Sequence, residues 1–285
     1  MKEQRHGALR LSFADGESWE LGARTRVVGI LNVTPDSFSD GGHHLDPETA
    51  LAAAHRMVEQ GVDIIDVGGE STRPGARPVD TGDERQRVVP VIEAIKGKLP
   101  VRVSVDTMKA AVARAALQAG ADMINDVSAL SDPAMLPLAV DSGAPIALMH
   151  MRGTPRDMQT DTRYDDLLAS ITTFLREIAV RVSAAGIADD KIVLDPGIGF
   201  GKSPQGSLEI LRELSTLRTL ERPILVGASR KSFIGAALDL PVTERLEASL
   251  AVAALAAWNG AHLLRVHDVG ETVRVTRMVD AIRRS

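Results

Sequence analysis

From residue 26 onward, short apolar runs alternate with longer stretches in which apolar side chains recur at helical spacing. Runs rich in Val, Ile and Leu suit buried strands, and positions three and four apart suit helices packed on one face. The strands predicted on this basis are Val27–Val33, Ile64–Val67, Val101–Val105, Met123–Asn125, Ile146–His150, Ile192–Leu194, Ile224–Val226 and Leu263–Val266. The helices predicted between and after them are Pro47–Gln60, Gly82–Lys98, Met108–Ala119, Pro133–Asp141, Asp165–Ala185, Ser207–Leu214, Ser232–Leu238 with Glu244–Asn259, and Asp268–Arg284. Asp46-Pro47 and Asp132-Pro133 read as helix starts, with proline at the first helical position. Gly61, Gly120, Gly143, Gly186 and Gly260 read as helix stops. Upstream, Leu9–Phe13 and Trp19–Leu21 flank Asp15-Gly16, the pattern of a small hairpin with a tight turn.

Eight strands, each followed by a helix, imply a parallel sheet with helices outside it. Eight units in about 255 residues match a closed (β/α)₈ barrel, and an open doubly wound sheet is the rival. The expectation is one barrel domain over residues 1–285, with 1–25 a peripheral N-terminal hairpin. The two architectures differ in where function collects. An open sheet holds its ligand at one switch point, whereas a barrel gathers residues from many strand ends on one face.

Every predicted strand ends in groups that a plain connection does not need. These are Asn32 and the polar run after it; Gly68 to Gly75; Ser104 and Asp106; Asn125-Asp126; Met149 to Arg152; Asp195 to Lys202; Gly227 to Lys231; and Arg265 to Asp268. Singly, each has a plain reading. Asp106 or Asp195 can cap a helix. His150 can be a hydrogen-bonded structural histidine, Met149 core filler, and Gly197 to Gly201 a turn needing positive φ. Together, on all eight ends, they favour the barrel with a site at its C-terminal mouth. Gly197-Ile-Gly-Phe-Gly201 lacks dinucleotide-fingerprint spacing, and Gly201-Lys202-Ser203 lacks the earlier glycine of a P-loop, since Pro196 stands there.

Composition narrows the chemistry. The chain has 285 residues, a formal net charge of -5 and no cysteine. Thiol catalysis, disulfides and zinc-thiolate sites are excluded, and a reducing cytoplasm is the expected setting. No basic stripe points to nucleic acid, and no apolar run is long enough to predict a membrane span. The charged start has no signal-peptide core. Arg73, Lys231, Arg265 and His267 supply cationic or switchable donors, which suit a phosphorylated substrate. Asp106, Asn125 and Asp195 suit a flat heterocycle with several N–H donors. Asp–Arg and Asp–Lys pairs that merely hold loops are the plain alternative.

These same residues carry a resemblance to the dihydropteroate synthase family. Gly29-Ile-Leu-Asn-Val-Thr-Pro-Asp-Ser-Phe-Ser-Asp-Gly41 and Asp66-Val-Gly-Gly-Glu-Ser-Thr-Arg-Pro-Gly75 resemble its two N-terminal signatures. Ser104 to Thr107, Ile124 to Asp126, Leu148 to Met151, Asp195 to Lys202, Ser229 to Lys231 and Arg265 to Val269 match in family order. The resemblance implies condensation of (7,8-dihydropterin-6-yl)methyl diphosphate with 4-aminobenzoate on a (β/α)₈ barrel, with a homodimer and Mg²⁺ accompanying the diphosphate. It implies a pterin pocket of Asp106, Asn125, Met149, Asp195, Phe200, Gly227, Lys231 and Arg265. It assigns Asn32 to Mg²⁺, and Asn32, Thr72, Arg73, Arg265 and His267 to the diphosphate. Phe38, Thr72, Pro74 and Ser229 fall in the 4-aminobenzoate region, where sulfonamides compete in this family. Asp106, Asp195, Lys231, Arg265 and His267 are the residues it implies for catalysis. Loops 34–44 and 71–81 are expected to close over the diphosphate. Gly206-Ser207 stands where relatives often carry Asn, and Ser207 is read as a helix cap. Two rivals remain: a pterin-binding methyltransferase domain, which would lack the Thr72-Arg73-Pro74, Ser229-Arg-Lys231 and Arg265-x-His267 sets, and a non-catalytic pterin-binding paralogue.

Overall fold

A computed structural model describes residues 9–34 and 47–285. A two-stranded antiparallel hairpin, β1 (Arg10–Ser12) and β2 (Ser18–Glu20), comes first. Eight parallel strands follow: β3 (Arg26–Asn32), β4 (Ile64–Gly68), β5 (Arg102–Asp106), β6 (Met123–Asp126), β7 (Ile146–Met149), β8 (Ile192–Asp195), β9 (Leu225–Val226) and β10 (Leu263–Val266). They pair in the order β8-β7-β6-β5-β4-β3-β10-β9. Ile224, just before β9, bridges in parallel to Leu194 of β8, so the sheet closes on itself. The open-sheet alternative is thereby removed. The helices are α1 (Pro47–Glu59), α2 (Thr81–Lys98), α3 (Ala110–Gln118), α4 (Met135–Ser142), α5 (Leu167–Ala184), α6 (Pro204–Arg212), α7 (Ser232–Leu238), α8 (Leu246–Trp258) and α9 (Val269–Arg284). None of them is long and apolar enough to cross a membrane.

Two apolar clusters hold the barrel. The larger lies between strands and helices, with Ile65, Val67, Val103, Val105, Ile124 and Leu148 facing Val88, Ile92, Ile95, Met135, Ile171 and Leu175. The smaller joins the hairpin to the barrel. Leu11, Phe13 and Leu21 pack with Val28, Ile64, Met123, Val193, Leu225 and Leu263, most of them at the first positions of their strands. The hairpin therefore plugs the N-terminal mouth. Burial of Leu11 and Phe13 contributes about 1.5–3 kcal/mol each. Arg102 fastens it through Asp15 at 2.8 Å and Glu17 at 2.5 Å, is itself held by Asp122 at 2.7 Å, and has its guanidinium 4.3 Å from the Phe13 ring centroid. With the lower end filled by side chains, the C-terminal mouth is the face on which loops can build a site.

The helix stops behave as read: Gly61, Gly120, Gly143, Gly186 and Gly260 all have positive φ. Two starts differ. Ser207 does not cap α6; that helix begins earlier, at Pro204, with Ser203 Oγ accepting from Gly206 N at 3.0 Å. Ser207 is buried inside the helix and donates to Ser203 O at 3.0 Å. A serine before proline supplies both the cap and the fixed φ of the first turn, so it outcompetes a serine one turn later. Asp132 likewise does not cap α4 directly; its carboxylate takes the amides of Ala134 and Ala110, at 2.9 and 2.8 Å, and ties α3 to the loop before α4.

Candidate functional site

Strand register gathers the polar ends. Asn32 is level with Gly68, Gly68 with Asp106, and Asp106 with Asn125. Across the barrel Met149 is level with Asp195. Four neighbouring strands thus deliver Asn32, Gly68, Asp106 and Asn125 in one lateral row. Gly68 adds no side chain to that row. A Cβ there would meet Asp106 Cβ at 3.5 Å and Asn32 Oδ1 at 3.6 Å.

Arg265 crosses the mouth from β10. Its Nε donates to Asp66 Oδ2 and its NH2 to Asp106 Oδ2, both at 2.6 Å. Asp66 is fully buried and also accepts from Ser104 Oγ at 2.5 Å and Asn125 Nδ2 at 3.0 Å. Asp106 keeps one oxygen unused: Oδ1 is buried with no hydrogen-bond partner among the described residues. Burial pushes the Asp106 pKa up to about 7; Arg265 opposes this, while Asp66, Glu84 and Asp126 add to it. An orphaned buried acceptor costs about 1–3 kcal/mol, so this oxygen stands open to a donor.

The opposite wall comes from β8 and β9. Asp195 Oδ1 accepts from Gly197 N at 2.6 Å, and burial raises its pKa against the pull of Lys231. Lys231 Nζ donates to Ile198 O at 2.6 Å and sits 4.4 Å from the Phe200 ring centroid. Burial lowers its pKa to about 8, with Asp195 working the other way. Gly227 faces the space between the two cations: a Cβ would lie 3.9 Å from both Arg265 Cδ and Lys231 Nζ. Gly197, Gly199 and Gly201 have φ of +69°, +81° and +63°, as the turn reading required. Gly197 also allows a close approach, since a Cβ there would fall 2.0 Å from His150 O.

His150 is structural. It is buried, its pKa is pushed down to about 3 chiefly by burial, and its Nδ1 lies 2.9 Å from Lys202 Nζ. The same ammonium donates to His150 O at 3.0 Å and Phe200 O at 2.8 Å. Burial pushes the Lys202 pKa down to about 7, and its three contacts clamp the loops after β7 and β8. Asp126 is structural too; it accepts from Ser128 N, Ser128 Oγ and Leu130 N within its own turn.

His267 sits at the rim beside Ser229. Ser229 Oγ lies 3.3 Å from the His267 backbone N–H, which donates to it, and 3.2 Å from Nδ1. The backbone contact fixes Ser229 Oγ as an acceptor, and the same oxygen holds the His267 ring in place through Nδ1. Crowding by protein atoms and then Arg265 push the His267 pKa down to about 4. The ring is therefore neutral at pH 7. Arg73 is among the cations that lower it. Arg73, Pro74, Gly75 and Ala76 form a turn closed by Ala76 N to Arg73 O at 3.0 Å, with Gly75 at φ +76°. Gly75 N reaches Pro155 O at 3.2 Å and joins this loop to the one after β7. Thr72 is half-buried and Pro74 exposed on that loop. Phe38 lies outside the described residues, as do Asp36, Ser37 and the rest of loop 35–46.

The structure thus brings together Asp106, Asn125, Asp195, Lys231, Arg265, Phe200 and Gly227, with Met149 buried alongside and Ser229, His267 and Arg73 at the rim. Reasoning from sequence missed Asp66. Its signal was visible as a carboxylate inside the apolar run Ile64-Ile-Asp-Val67, where a buried charge needs partners.

Fold and site together define a barrel enzyme of the pterin-binding class: residues 28–267 match the family described as pterin binding enzyme. The dihydropteroate synthase of Escherichia coli (strain K12) is 49% identical over 269 residues, covering 94% of this chain and 95% of that one. The Synechocystis enzyme of the same name is 46% identical over 268 residues, 93% of each chain. Yersinia pestis dihydropteroate synthase, solved with a sulfonamide drug complex, superposes with a TM-score of 0.92 at 47% identity, covering 97% of this chain and 100% of that one. The Xanthomonas albilineans enzyme, solved with 4-aminobenzoic acid, gives 0.91 at 44% identity, covering 98% and 100%. The chain belongs to the dihydropteroate synthase family.

Proposed function

We propose that this chain joins (7,8-dihydropterin-6-yl)methyl diphosphate to 4-aminobenzoate, giving 7,8-dihydropteroate and diphosphate. The observation that carries the reading is the unpartnered Oδ1 of Asp106, a residue bonded to Arg265 through its other oxygen and level with Asn125 on the next strand. A pterin has the flat shape and row of N–H donors that Asp106, Asn125 and Asp195 would satisfy. Arg265 and Lys231 flank the opening left by Gly227 and would bracket the ring with Met149 and Phe200.

The chemistry asked of the side chains is electrostatic. The C–O bond to diphosphate breaks first, and the electron pair leaves with the anion. Arg73, Arg265 and His267 would receive that anion, with Thr72 beside them. Asp106 and Asp195 would stabilise the positive charge left on the pterin. The arylamine nitrogen, held near Thr72, Pro74 and Ser229, then attacks the methylene carbon and gives up a proton to solvent. No side-chain nucleophile takes part.

Mg²⁺ fits this donor set in one way. Among the described residues no three His, Asp, Glu or Cys side chains group to hold a metal. An Mg²⁺ that arrives on the diphosphate keeps its waters and needs few protein ligands. Asn32, at the end of β3, would hold it, and when bound it supplies charge neutralisation for the leaving diphosphate. Loop 71–81 would close over that group.

The homodimer has a candidate surface. Leu255 and Trp258 of α8 are 56% and 51% exposed, and Met278 and Ile282 of α9 are 62% and 48% exposed. Light scattering at micromolar protein tests this, and a monomer would remove it. For the reaction, diphosphate release is measured with both substrates present. Release that depends on 4-aminobenzoate supports the synthase; pterin binding without turnover would sink it.

A further inference from the structure

We propose that Asp66 is the positioning residue of the pterin pocket: without touching substrate, it sets the orientation of the Asn125 amide and the reach of Arg265. The proposal rests on the pterin reading above and deepens it. Asp66 is fully buried on β4, one turn of the pleat below the site row, and every donor it meets belongs to the site wall. Its Oδ1 takes Ser104 Oγ at 2.5 Å. Its Oδ2 takes both Asn125 Nδ2 at 3.0 Å and Arg265 Nε at 2.6 Å.

Two consequences follow from chemistry. A carboxylate accepts and cannot donate, so it holds the Asn125 NH2 end toward itself and leaves the amide oxygen turned away. The amide is then not free to flip when a ligand arrives, and the pocket offers a defined acceptor beside the orphaned Asp106 Oδ1. Asp66 also shares Arg265 with Asp106. With Nε on Asp66, the guanidinium reaches Asp106 through NH2 alone, at 2.6 Å. Asp106 therefore receives one hydrogen bond rather than a bidentate pair, and its Oδ1 stays open for substrate. Specificity for a ring bearing several N–H donors would thus originate in a residue that the ring never meets.

The charges around Asp106 are Arg265 on β10, Asp66 on β4, Glu84 on α2, Asp126 on β6 and Lys231 before α7. Removing the negative charge of Asp66 makes Asp106 easier to ionise, because a like charge is lost and the positive charge of Arg265 is no longer shared between two carboxylates.

Two variants separate geometry from charge. In Asp66→Asn the amide oxygen can take the Asn125 and Arg265 donors. Its NH2 can donate to Ser104 Oγ, because a hydroxyl reverses its role. Asp66→Ala removes all three acceptors. Both are measured for turnover across pH and, by calorimetry, for binding of the pterin diphosphate alone. Asp66→Ala is expected to weaken pterin affinity by at least about 30-fold. Its KM for 4-aminobenzoate is expected to stay within about twofold, since Asp66 holds none of Thr72, Pro74 or Ser229. Asp66→Asn is expected to restore most pterin affinity and to move the acid limb of kcat/KM to lower pH by on the order of one unit. Equal weakening of both substrates in Asp66→Ala, or an unmoved acid limb in Asp66→Asn, overturns the proposal. If Asp66→Ala does not fold, as a thermal melt will show, the Asp66→Asn limb decides alone. Should the wild type bind the pterin yet never release diphosphate, the synthase reading fails, and calorimetry on Asp66→Ala still decides the positioning role.

Discussion

Replacing Gly197 by alanine puts a number on how tightly the β8 loop is built. The residue has φ +69°, and its added Cβ would fall 2.0 Å from His150 O and 3.1 Å from Met149 Cγ. Left-handed backbone costs an alanine about 1–2 kcal/mol. The overlap is with backbone, which cannot swing aside, and forced repacking adds about 1–3 kcal/mol. Displacing His150 O also weakens its bond from Lys202, at 3.0 Å, for about 1 kcal/mol more. The sum is a loss of about 4 kcal/mol. Gly199→Ala is the control: φ is +81°, but its Cβ meets nothing nearer than Lys231 Cδ at 3.4 Å, so only the conformational cost of about 1–2 kcal/mol applies. Urea denaturation followed by circular dichroism gives both values. The melting temperature of Gly197→Ala should drop by roughly 8 °C or more. If the two variants differ by less than about 1 kcal/mol, the close approach of the two loops is not what demands glycine here.

Gly227→Ala tests the opening between the cations: the contacts are ordinary, so stability should fall by less than about 1 kcal/mol, while the KM for the pterin diphosphate should rise about tenfold or more as the methyl occupies ring space. Lys231→Ala and Asp195→Asn should each lower kcat/KM by about 100-fold or more with only a small change in denaturation midpoint; wild-type turnover in either would remove that residue from the site. His150 sets a pH window. Its folded pKa of about 3 lies below the ordinary 6.5, so the unfolded chain alone takes up the proton as pH falls through that interval, and stability is present above 6.5 and lost toward 3. His150→Gln, which keeps an acceptor for Lys202, should flatten the loss between pH 6.5 and 5 by about 1.4 kcal/mol per pH unit. Parallel curves for the two proteins would mean that the buried ring is not neutral.

Much of this molecule was legible along the chain because its determinants are local. Strand and helix periods depend on neighbours a few positions apart, and the observed β3 at Arg26–Asn32 and α2 at Thr81–Lys98 differ from expectation by a residue at their ends. Ser203 against Ser207 was misjudged where two caps competed within one turn. The candidate residues were also legible, since register in a parallel barrel brings strand ends to one rim whatever the loops do. What tertiary structure decided is which of those residues meet and in what state. Arg265 and Asp66 meet across 199 positions, a separation that no periodicity reports. That contact leaves one oxygen of Asp106 open and raises the question of its charge. His150 and Lys202, both polar and both in recognisable motifs, turn inward to fasten loops instead. Local pattern determines where a side chain starts. Its partner, and with it protonation and role, comes from packing between distant segments, where burial makes every unmatched donor or acceptor expensive.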